Sequence, residues 1–299
     1  MNRALLSMLF CLAVLVGCNN APAPQKTTTV SNEPFTVYTV NYPLAYFAER
    51  IAGDAARVVF PMAEQGDPAF WQPDGDTIRA YQDADLILLN GASYAQWIPM
   101  ATLPQSRMVN TSAGFADQYL KTENAIAHQH GPEGPHDHGD VQFTTWMDFT
   151  LARQQAEAIA QALAQALPDE AARINERLYA LKTDLQTLDD AYKNAFTAIG
   201  AQPLLASHPV YGYFARHYNL NLYSLHWEPD VLPGDTEWAA LEQLLISHPA
   251  QYMLWEDTPL PETQARLEGM GIIIRVAPPC GNRPATGDFL SVLQGGAQG

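Results

Sequence analysis

Hydrophobic and polar residues follow two alternating patterns in the first third of the chain. From Phe35 to Val40 apolar residues alternate with Thr and Tyr, which predicts a strand. Pro43 then opens an amphipathic stretch that ends at Gly53, which predicts a helix with proline in its first turn. Further apolar runs predict a strand at 58–60, a helix at 76–84 and a strand at 86–89. Because strands and helices alternate, we expect a parallel sheet covered by helices.

The middle of the chain has helical spacing over an unusual length. Residues 148–167 follow a helical pattern, Pro168 interrupts it, and apolar residues then recur every three or four positions from Ile174 to Phe196. A helix of that length runs about 40 Å, which is enough to cross a whole molecule rather than cover one sheet. Two ordinary surface helices are the alternative interpretation.

Strands and helices alternate again after Gly200. The patterns predict strands at 204–207, 252–255 and 272–276, an extended segment at 223–228, and helices at about 210–218 and 236–247. The predicted fold class is α/β, with two βα lobes that each hold a mainly parallel sheet and are joined by a long linking helix. The N-terminal lobe is expected at 34–146, the linking helices at 147–199 and the C-terminal lobe at 200–294.

The first residues have the layout of a secretory signal. Arg3 precedes an uncharged apolar run that ends near Val16, and this run is shorter than the about 20 residues that span a bilayer. The tetrapeptide that ends at Cys18 resembles the lipobox of bacterial lipoproteins, which implies cleavage of a signal peptide at 1–17 and acylation of the Cys18 sulfur. Residues 18–33 then form a tether, and we expect a lipid anchor at the periplasmic or extracellular face of a membrane. An uncleaved anchor helix is the alternative.

Charge excludes some classes of partner, and cysteine content excludes a disulfide framework. The chain has 32 acidic and 16 basic residues, a net charge of −16, which argues against nucleic acid and anionic lipid and suits a protein that meets cations. Cys11 leaves with the signal and Cys18 is lipidated, so Cys280 has no intramolecular partner and no disulfide is expected. We expect a monomer.

A histidine-rich loop interrupts the regular pattern between residues 125 and 140. It contains His128, His130, His136 and His138 among Gly, Pro and Asp, a composition that binds transition metals without a fixed fold. Ordering such a loop costs entropy, so we expect it to gather metal while a preformed cleft holds it. A solubilising linker is the alternative.

Candidate metal ligands for that cleft follow the predicted strands of the second half. His208 and Glu256 each follow a strand, at the carboxyl ends where open α/β sheets bind ligands. His226 and Glu228 are two apart in an extended segment, so their side chains share a face, and they form an acceptable zinc pair. Cys280 offers a soft thiolate that favours zinc or copper over manganese. Helix capping for Glu256, a turn for His226 and Glu228, and a buried apolar role for Cys280 are the alternatives.

Several short stretches share an order with a known class of proteins. They are Thr39-Val40-Asn41-Tyr42-Pro43-Leu44, Gly66-Asp67-Pro68, Ala84-Asp85-Leu86-Ile87-Leu88-Leu89-Asn90-Gly91, Trp146-Met147-Asp148, Ser207-His208-Pro209-Val210-Tyr211-Gly212-Tyr213 and Leu254-Trp255-Glu256. Together they resemble the metal-binding class of periplasmic binding proteins that serve zinc and manganese ABC importers. The resemblance implies a divalent transition metal as cargo, zinc before manganese or copper, and an ABC importer permease as partner.

The usual ligand set of that class is only partly present. The resemblance implies histidine ligands at the positions of Ala69, Thr144 and His208 and a late aspartate at the position of Ala277. Only His208 has the expected side chain, so residues at other positions would have to supply the remaining ligands.

Two aspartates match the class pattern without being its ligands. We interpret Asp67 and Asp148 as acceptors at helix starts first, and as groups behind the metal ligands second.

The absence of common catalytic motifs from the sequence argues against an enzyme. The chain has no G-x-S-x-G, no H-E-x-x-H and no phosphate loop, so a hydrolase with Glu228 or Glu256 as base is the weaker hypothesis. The sequence predicts an extracytoplasmic receptor that delivers a divalent metal to an ABC importer. Two alternatives stay open: the same scaffold binding a non-metal or chelated ligand, and a metal chaperone without a permease.

Overall fold

The computed structural model describes residues 34–62, 66–121, 128–129, 135–136 and 141–298. The predicted signal peptide, the tether with Cys18, and His130 and His138 of the histidine-rich loop lie outside the described residues. Residues Pro34–Gly299 form one compact unit. Within the part that is described, every helix is too short or too polar to cross a bilayer.

Two four-stranded sheets, in which all neighbouring strands are parallel, form the framework. The N-terminal sheet has the order β2-β1-β3-β4 and the C-terminal sheet the order β10-β9-β7-β8. The strands are β1 Thr36–Thr39, β2 Arg57–Val59, β3 Leu86–Leu89, β4 Met108–Asn110, β7 Pro203–Ala206, β8 Asn221–Ser224, β9 Tyr252–Trp255 and β10 Ile273–Val276, with a short antiparallel pair of β5 His128–Gln129 and β6 Pro135–His136. The predicted α/β class with two mainly parallel sheets is confirmed.

Eight helices accompany these strands in the described part of the chain. They are α1 Tyr42–Ala52, α2 Gly75–Asp83, α3 Phe149–Ala166, α4 Ala171–Ile199, α5 Gly212–Tyr218, α6 Asp235–Ser247, α7 Pro261–Gly269 and α8 Phe289–Gln298. The two sheets have the same topology, because β7, β8, β9 and β10 are ordered as β1, β2, β3 and β4 are. In each sheet the chain moves outward in opposite directions from a central pair of strands, so each sheet has a switch point between that pair.

Local sequence sets the bounds of α1. The Asn41 side chain accepts a hydrogen bond from the backbone N–H of Leu44 at 3.1 Å, and Pro43 lies in the first turn. Gly53 ends the helix with a φ of 54°, and a Cβ there would lie 2.5 Å from the Arg177 guanidinium. Glycine therefore provides both the left-handed backbone and the space in which Arg177 donates to Ala52 O at 2.6 Å.

The predicted long helix is confirmed as α4, which has 29 residues. Towards the N-terminal sheet it is tied to α1 by the Arg50–Asp184 ion pair at 2.6 Å. Its buried Tyr192 donates a hydrogen bond to Leu293 O of α8 at 2.7 Å. Because α4 also contacts α5 of the C-terminal lobe through Asp189, it joins both lobes.

Asp189 is fully buried and gathers several charged neighbours. His217 Nε2 lies 2.8 Å from Asp189 Oδ1, and the Lys193 ammonium lies 2.8 Å from Oδ2. The other nitrogen of His217, Nδ1, lies 3.2 Å from Asp148 Oδ1. Asp148 also caps α3 by accepting from the N–H of Thr150 at 2.9 Å, as the sequence predicted for a helix start. His217 therefore bridges carboxylates at the start of α3 and in the middle of α4.

Some elements differ from the predicted pattern. The extended segment at 223–228 is shared between β8, which ends at Ser224, and an irregular stretch that keeps two ladder bonds to the strand beside it. Strand β4 and helices α7 and α8 have no counterpart among the predicted elements. The three residues of β4 are too few for a periodic signal, and α8 ends in a Gly-rich sequence that disfavours a helix by itself.

Candidate metal centre

Three potential ligands meet at the switch point of the C-terminal sheet. His208 lies just past β7 and Glu256 directly after β9, the two strands between which the chain changes direction. One donor atom from each of His208, Glu228 and Glu256 lies within 4.8 Å of the others. His208 Nδ1 and Glu228 Oε1 are 3.2 Å apart. This is the one group of at least three His, Cys, Asp or Glu side chains with such geometry among the described residues.

Backbone hydrogen bonds on both sides hold this site in place. The N–H of Ser207 donates to Leu254 O in β9 at 2.8 Å, and Ser207 O accepts from the N–H of Trp227 at 2.7 Å. The irregular stretch after β8 is thereby kept beside β7, which brings Glu228 to His208. The rule that ligands bind at the carboxyl ends of parallel strands therefore predicts the positions of His208 and Glu256. The ladder bonds explain the position of Glu228.

His226 and Cys280 have different positions. The His226 ring lies 6.0 Å from the His208 ring between centroids, at an interplanar angle of 84°, so it borders the three-residue group without belonging to it. Cys280 is buried among apolar side chains outside the group, and burial raises the pKa of its thiol to about 12. A protonated thiol is a poor metal ligand, so this environment favours the apolar role.

Two histidines of the histidine-rich loop have a described backbone. The backbones of His128 and His136 pair in the β5–β6 ladder, while their side chains, like all of His130 and His138, lie outside the description.

The charges of the three-residue group favour a bound cation. Burial raises the pKa of Glu256 well above its ordinary value, and the negative charges of Glu228 and then Asp67 raise it further. Two carboxylates that are close together in a buried site repel each other unless one of them binds a proton or a cation lies between them. A divalent ion at this position would relieve that repulsion.

Thr144, Ala69 and Ala277 stand where the class would have metal ligands, and each makes a hydrogen bond within the protein. The Thr144 hydroxyl donates to Val210 O at 2.6 Å, across the cleft beside His208. Ala69 is fully buried, and its N–H donates to Asp67 Oδ1 at 2.8 Å. Ala277 O accepts a hydrogen bond from the Tyr211 hydroxyl at 2.9 Å.

A small cavity borders His208 on the side of the N-terminal lobe. It has a volume of about 20 Å³ and is lined by residues 141–144 and 208–210. A space of that size accepts one water-sized particle.

Amide side chains occupy the equivalent place in the N-terminal sheet. Asn41 follows β1 and Asn90 follows β3, and Asn41 donates to Asn90 Oδ1 at 3.2 Å. Gln155 of α3 donates to the same oxygen at 3.2 Å. Hydrogen-bonded amides occupy this switch point. The two sheets share a topology, and among the described residues the group of potential cation ligands lies at the C-terminal sheet.

Comparison with known proteins identifies relatives of the whole folded unit. A family model described as ZnuA, zinc-uptake complex component A, periplasmic, matches residues 37–295. The zinc-binding protein AdcA of Streptococcus pyogenes serotype M3 is 22% identical over 269 residues, which are 86% of this chain and 52% of that protein. The high-affinity zinc uptake system protein ZnuA of Haemophilus ducreyi is 30% identical over 118 residues, which are 39% of this chain and 38% of that protein. The chain thus spans about half the length of AdcA.

Solved structures have the same fold. The metal-dependent lipoprotein YcdH from Bacillus subtilis has a TM-score of 0.75 at 20% identity, covering 89% of this chain and 97% of that one. Zn(II)-bound AdcA from Streptococcus pneumoniae has a TM-score of 0.74 at 19% identity, covering 89% of this chain and 57% of that one. The family is described as a component of an uptake complex, which agrees with the expectation that the chain is not an enzyme. Because the family model covers nearly all of the described unit, the chain belongs to the family of periplasmic A components of zinc-uptake complexes.

Proposed function

We propose that this protein captures a zinc ion between His208, Glu228 and Glu256 and delivers it to the permease of an ABC importer. The observation that carries the proposal is the convergence of three donor atoms within 4.8 Å at a strand switch point. Membership of a zinc-uptake family and the zinc named for its relatives support the same metal.

The donor set suits a zinc ion. Zinc binds histidine nitrogen and carboxylate oxygen at about 2.0–2.2 Å, so ligands around one tetrahedral ion lie about 3.4 Å apart. The 3.2 Å between His208 Nδ1 and Glu228 Oε1 is close to that separation. One imidazole and two carboxylates also suit manganese, and imidazole suits copper, so these ions are the competitors that affinity measurements have to include.

His226 lies close enough to His208 to become a further ligand after a small movement. In this proposal the loop histidines supply ions to the cleft.

Export, membrane attachment and oligomeric state complete the proposal. We propose cleavage at the predicted signal, lipid anchoring through Cys18 and action as a monomer in the periplasm, which is the location of the family. In this proposal the lobes at 34–146 and 200–294 enclose the ion, and the helices at 147–199 limit their movement.

Calorimetric titration of zinc tests the proposal. The intact protein, a variant without residues 125–140, and His208→Ala combined with Glu256→Gln are compared after treatment with chelator. A control carries the same two changes outside the cluster, as His248→Ala with Glu262→Gln. We expect tight one-to-one binding in the intact, loop-deleted and control proteins and its loss in the cluster variant. Weak multi-site binding that disappears with the loop would overturn the proposed site.

A further inference from the structure

The three residues with converging donor atoms all belong to the C-terminal lobe. His208, Glu228 and Glu256 follow β7, β8 and β9 of the C-terminal sheet. Separation of the two lobes would therefore not by itself pull these donor atoms apart. For the N-terminal lobe to affect the hold on a metal ion, it has to act through contacts with the segments that carry the ligands.

The N-terminal lobe makes such a contact with the segment that carries His208. The hydroxyl of Thr144, a residue that is 4% exposed, donates to Val210 O at 2.6 Å. Val210 is two residues after His208, and all three residues line the same small cavity. The hydrogen bond from Thr144 therefore lies beside a proposed ligand and crosses from one lobe to the other.

Tyr213 makes a second connection between the lobes, five residues after His208. Its buried hydroxyl accepts from the N–H of Leu120 at 3.1 Å and donates to Gln142 O at 3.0 Å. Gly212 permits this close approach, because a Cβ at that position would overlap the amide oxygen of Gln142. The 208–213 segment is thus held against the N-terminal lobe at two points.

We infer that Thr144 is a positioning residue for the metal site, and that it holds the His208 segment in the geometry that binds the ion. The inference rests on the proposed function. On one side of His208 the N–H of Ser207 is bonded to β9, and on the other side Thr144 holds Val210 O. Without the second bond His208 would sample positions farther from Glu228, whose Oε1 lies 3.2 Å from its Nδ1. A site that is less preorganised binds its ion more weakly.

This role differs from the one that the class resemblance implies for the same position. The class would have a histidine ligand where this chain has Thr144, whereas here the side chain acts on the backbone next to a ligand. Because the bond crosses between the lobes, their separation would free the 208–213 segment. Lobe opening would then weaken the hold on the ion even though every donor atom belongs to one lobe.

Release of zinc into an excess of chelator tests the inference. Thr144→Val keeps the shape of the side chain and removes the donor, whereas Thr144→Ser keeps the donor. Thr111→Val is the matched control, because Thr111 is also buried and its hydroxyl donates to Leu89 O at 2.9 Å within one lobe. The net effect of one hydrogen bond is about tenfold in an equilibrium, so Thr144→Val should release zinc about five- to tenfold faster than the wild type. Thr144→Ser and Thr111→Val should stay within about twofold of it.

Two further measurements distinguish positioning from a general loss of stability or of lobe contact. The melting temperature of metal-free Thr144→Val should fall no further than that of Thr111→Val, although only Thr144→Val releases zinc faster. Asn282→Ala removes a different hydrogen bond between the lobes, from the Asn282 side chain to Gly66 O at 3.0 Å. Its zinc release should stay within about twofold of the wild type, because this bond lies outside the 208–213 segment.

The outcomes separate this inference from the proposed function. If Thr144→Val releases zinc at the wild-type rate while the His208 and Glu256 double variant does not bind it, the inference fails and the proposed function stands. Equally fast release from Thr144→Ser, Thr111→Val or Asn282→Ala would also overturn the positioning role. If the wild type itself does not bind zinc in the cleft, the proposed function fails.

Discussion

Replacing the buried carboxylate of α4 by an amide should destabilise the protein strongly. Asp189 is fully buried and contacts Lys193, His217 and Tyr218 at 2.8, 2.8 and 3.0 Å. Asp189→Asn keeps the shape of the side chain but removes the charge that these donors face. With its NH₂ in place of Oδ2, the amide also faces the Lys193 ammonium, which cannot accept a hydrogen bond.

The magnitude follows from the burial of each partner. Removing one member of a buried ion pair costs about 3–5 kcal/mol, because the other charge is left uncompensated. The Lys193 side chain is 49% exposed, so water screens that pair, whereas His217 is only 14% exposed. We therefore expect the lower end, about 3 kcal/mol. With a urea slope of about 3 kcal/mol per M, the unfolding midpoint would fall by about 1 M.

Urea unfolding followed by circular dichroism measures this loss. Asp190→Asn is the matched control, because Asp190 is the next residue, is exposed, and accepts from the Gln186 side chain at 2.8 Å. The control should change stability by less than about 0.5 kcal/mol. Equal midpoints for Asp189→Asn and Asp190→Asn would refute the reasoning that the carboxylate network joins α4 to α5.

Two further predictions concern pH and the cysteine. Burial alone would raise the pKa of Asp189, but hydrogen bonds from Lys193 and His217 outweigh it and lower the pKa. A depressed pKa gives stability that is present above the unfolded value of about 3.9 and is lost as pH falls below it, so the difference between wild type and Asp189→Asn should narrow below about pH 4 in urea titrations; a constant difference contradicts this. Because burial raises the pKa of Cys280 to about 12, its thiol should resist iodoacetamide at pH 8 until the protein is unfolded, as mass spectrometry can follow. Cys280→Ser should keep zinc affinity within about twofold, and a tenfold loss would make Cys280 a ligand.

Much of the fold was predictable because its signals are local. The apolar run at 86–89 coincides with β3, and the run at 252–255 coincides with β9. The spacing from Ile174 to Phe196 likewise lies within α4. Strand β4 and helix α8 were missed because pairing with β3 and the Tyr192 contact, both distant in sequence, stabilise them.

The sequence predicted the position of a site residue only where the order of the strands determines it. His208 and Glu256 follow neighbouring strands, so the strand-end rule brings them together. The distance between Glu228 and His208 depends on ladder bonds that continue beyond β8, which the pattern does not encode. The path of the chain after β10 also has no local signal, and this path separates Cys280 from the three-residue group.

Anomalous diffraction shows whether one zinc ion is held by His208, Glu228 and Glu256. Crystals of the zinc-loaded protein would be measured on both sides of the zinc absorption edge. We expect one strong anomalous peak at about 2.0–2.2 Å from an imidazole nitrogen of His208 and from carboxylate oxygens of Glu228 and Glu256. A peak elsewhere in the protein, with none between these three side chains, would contradict it.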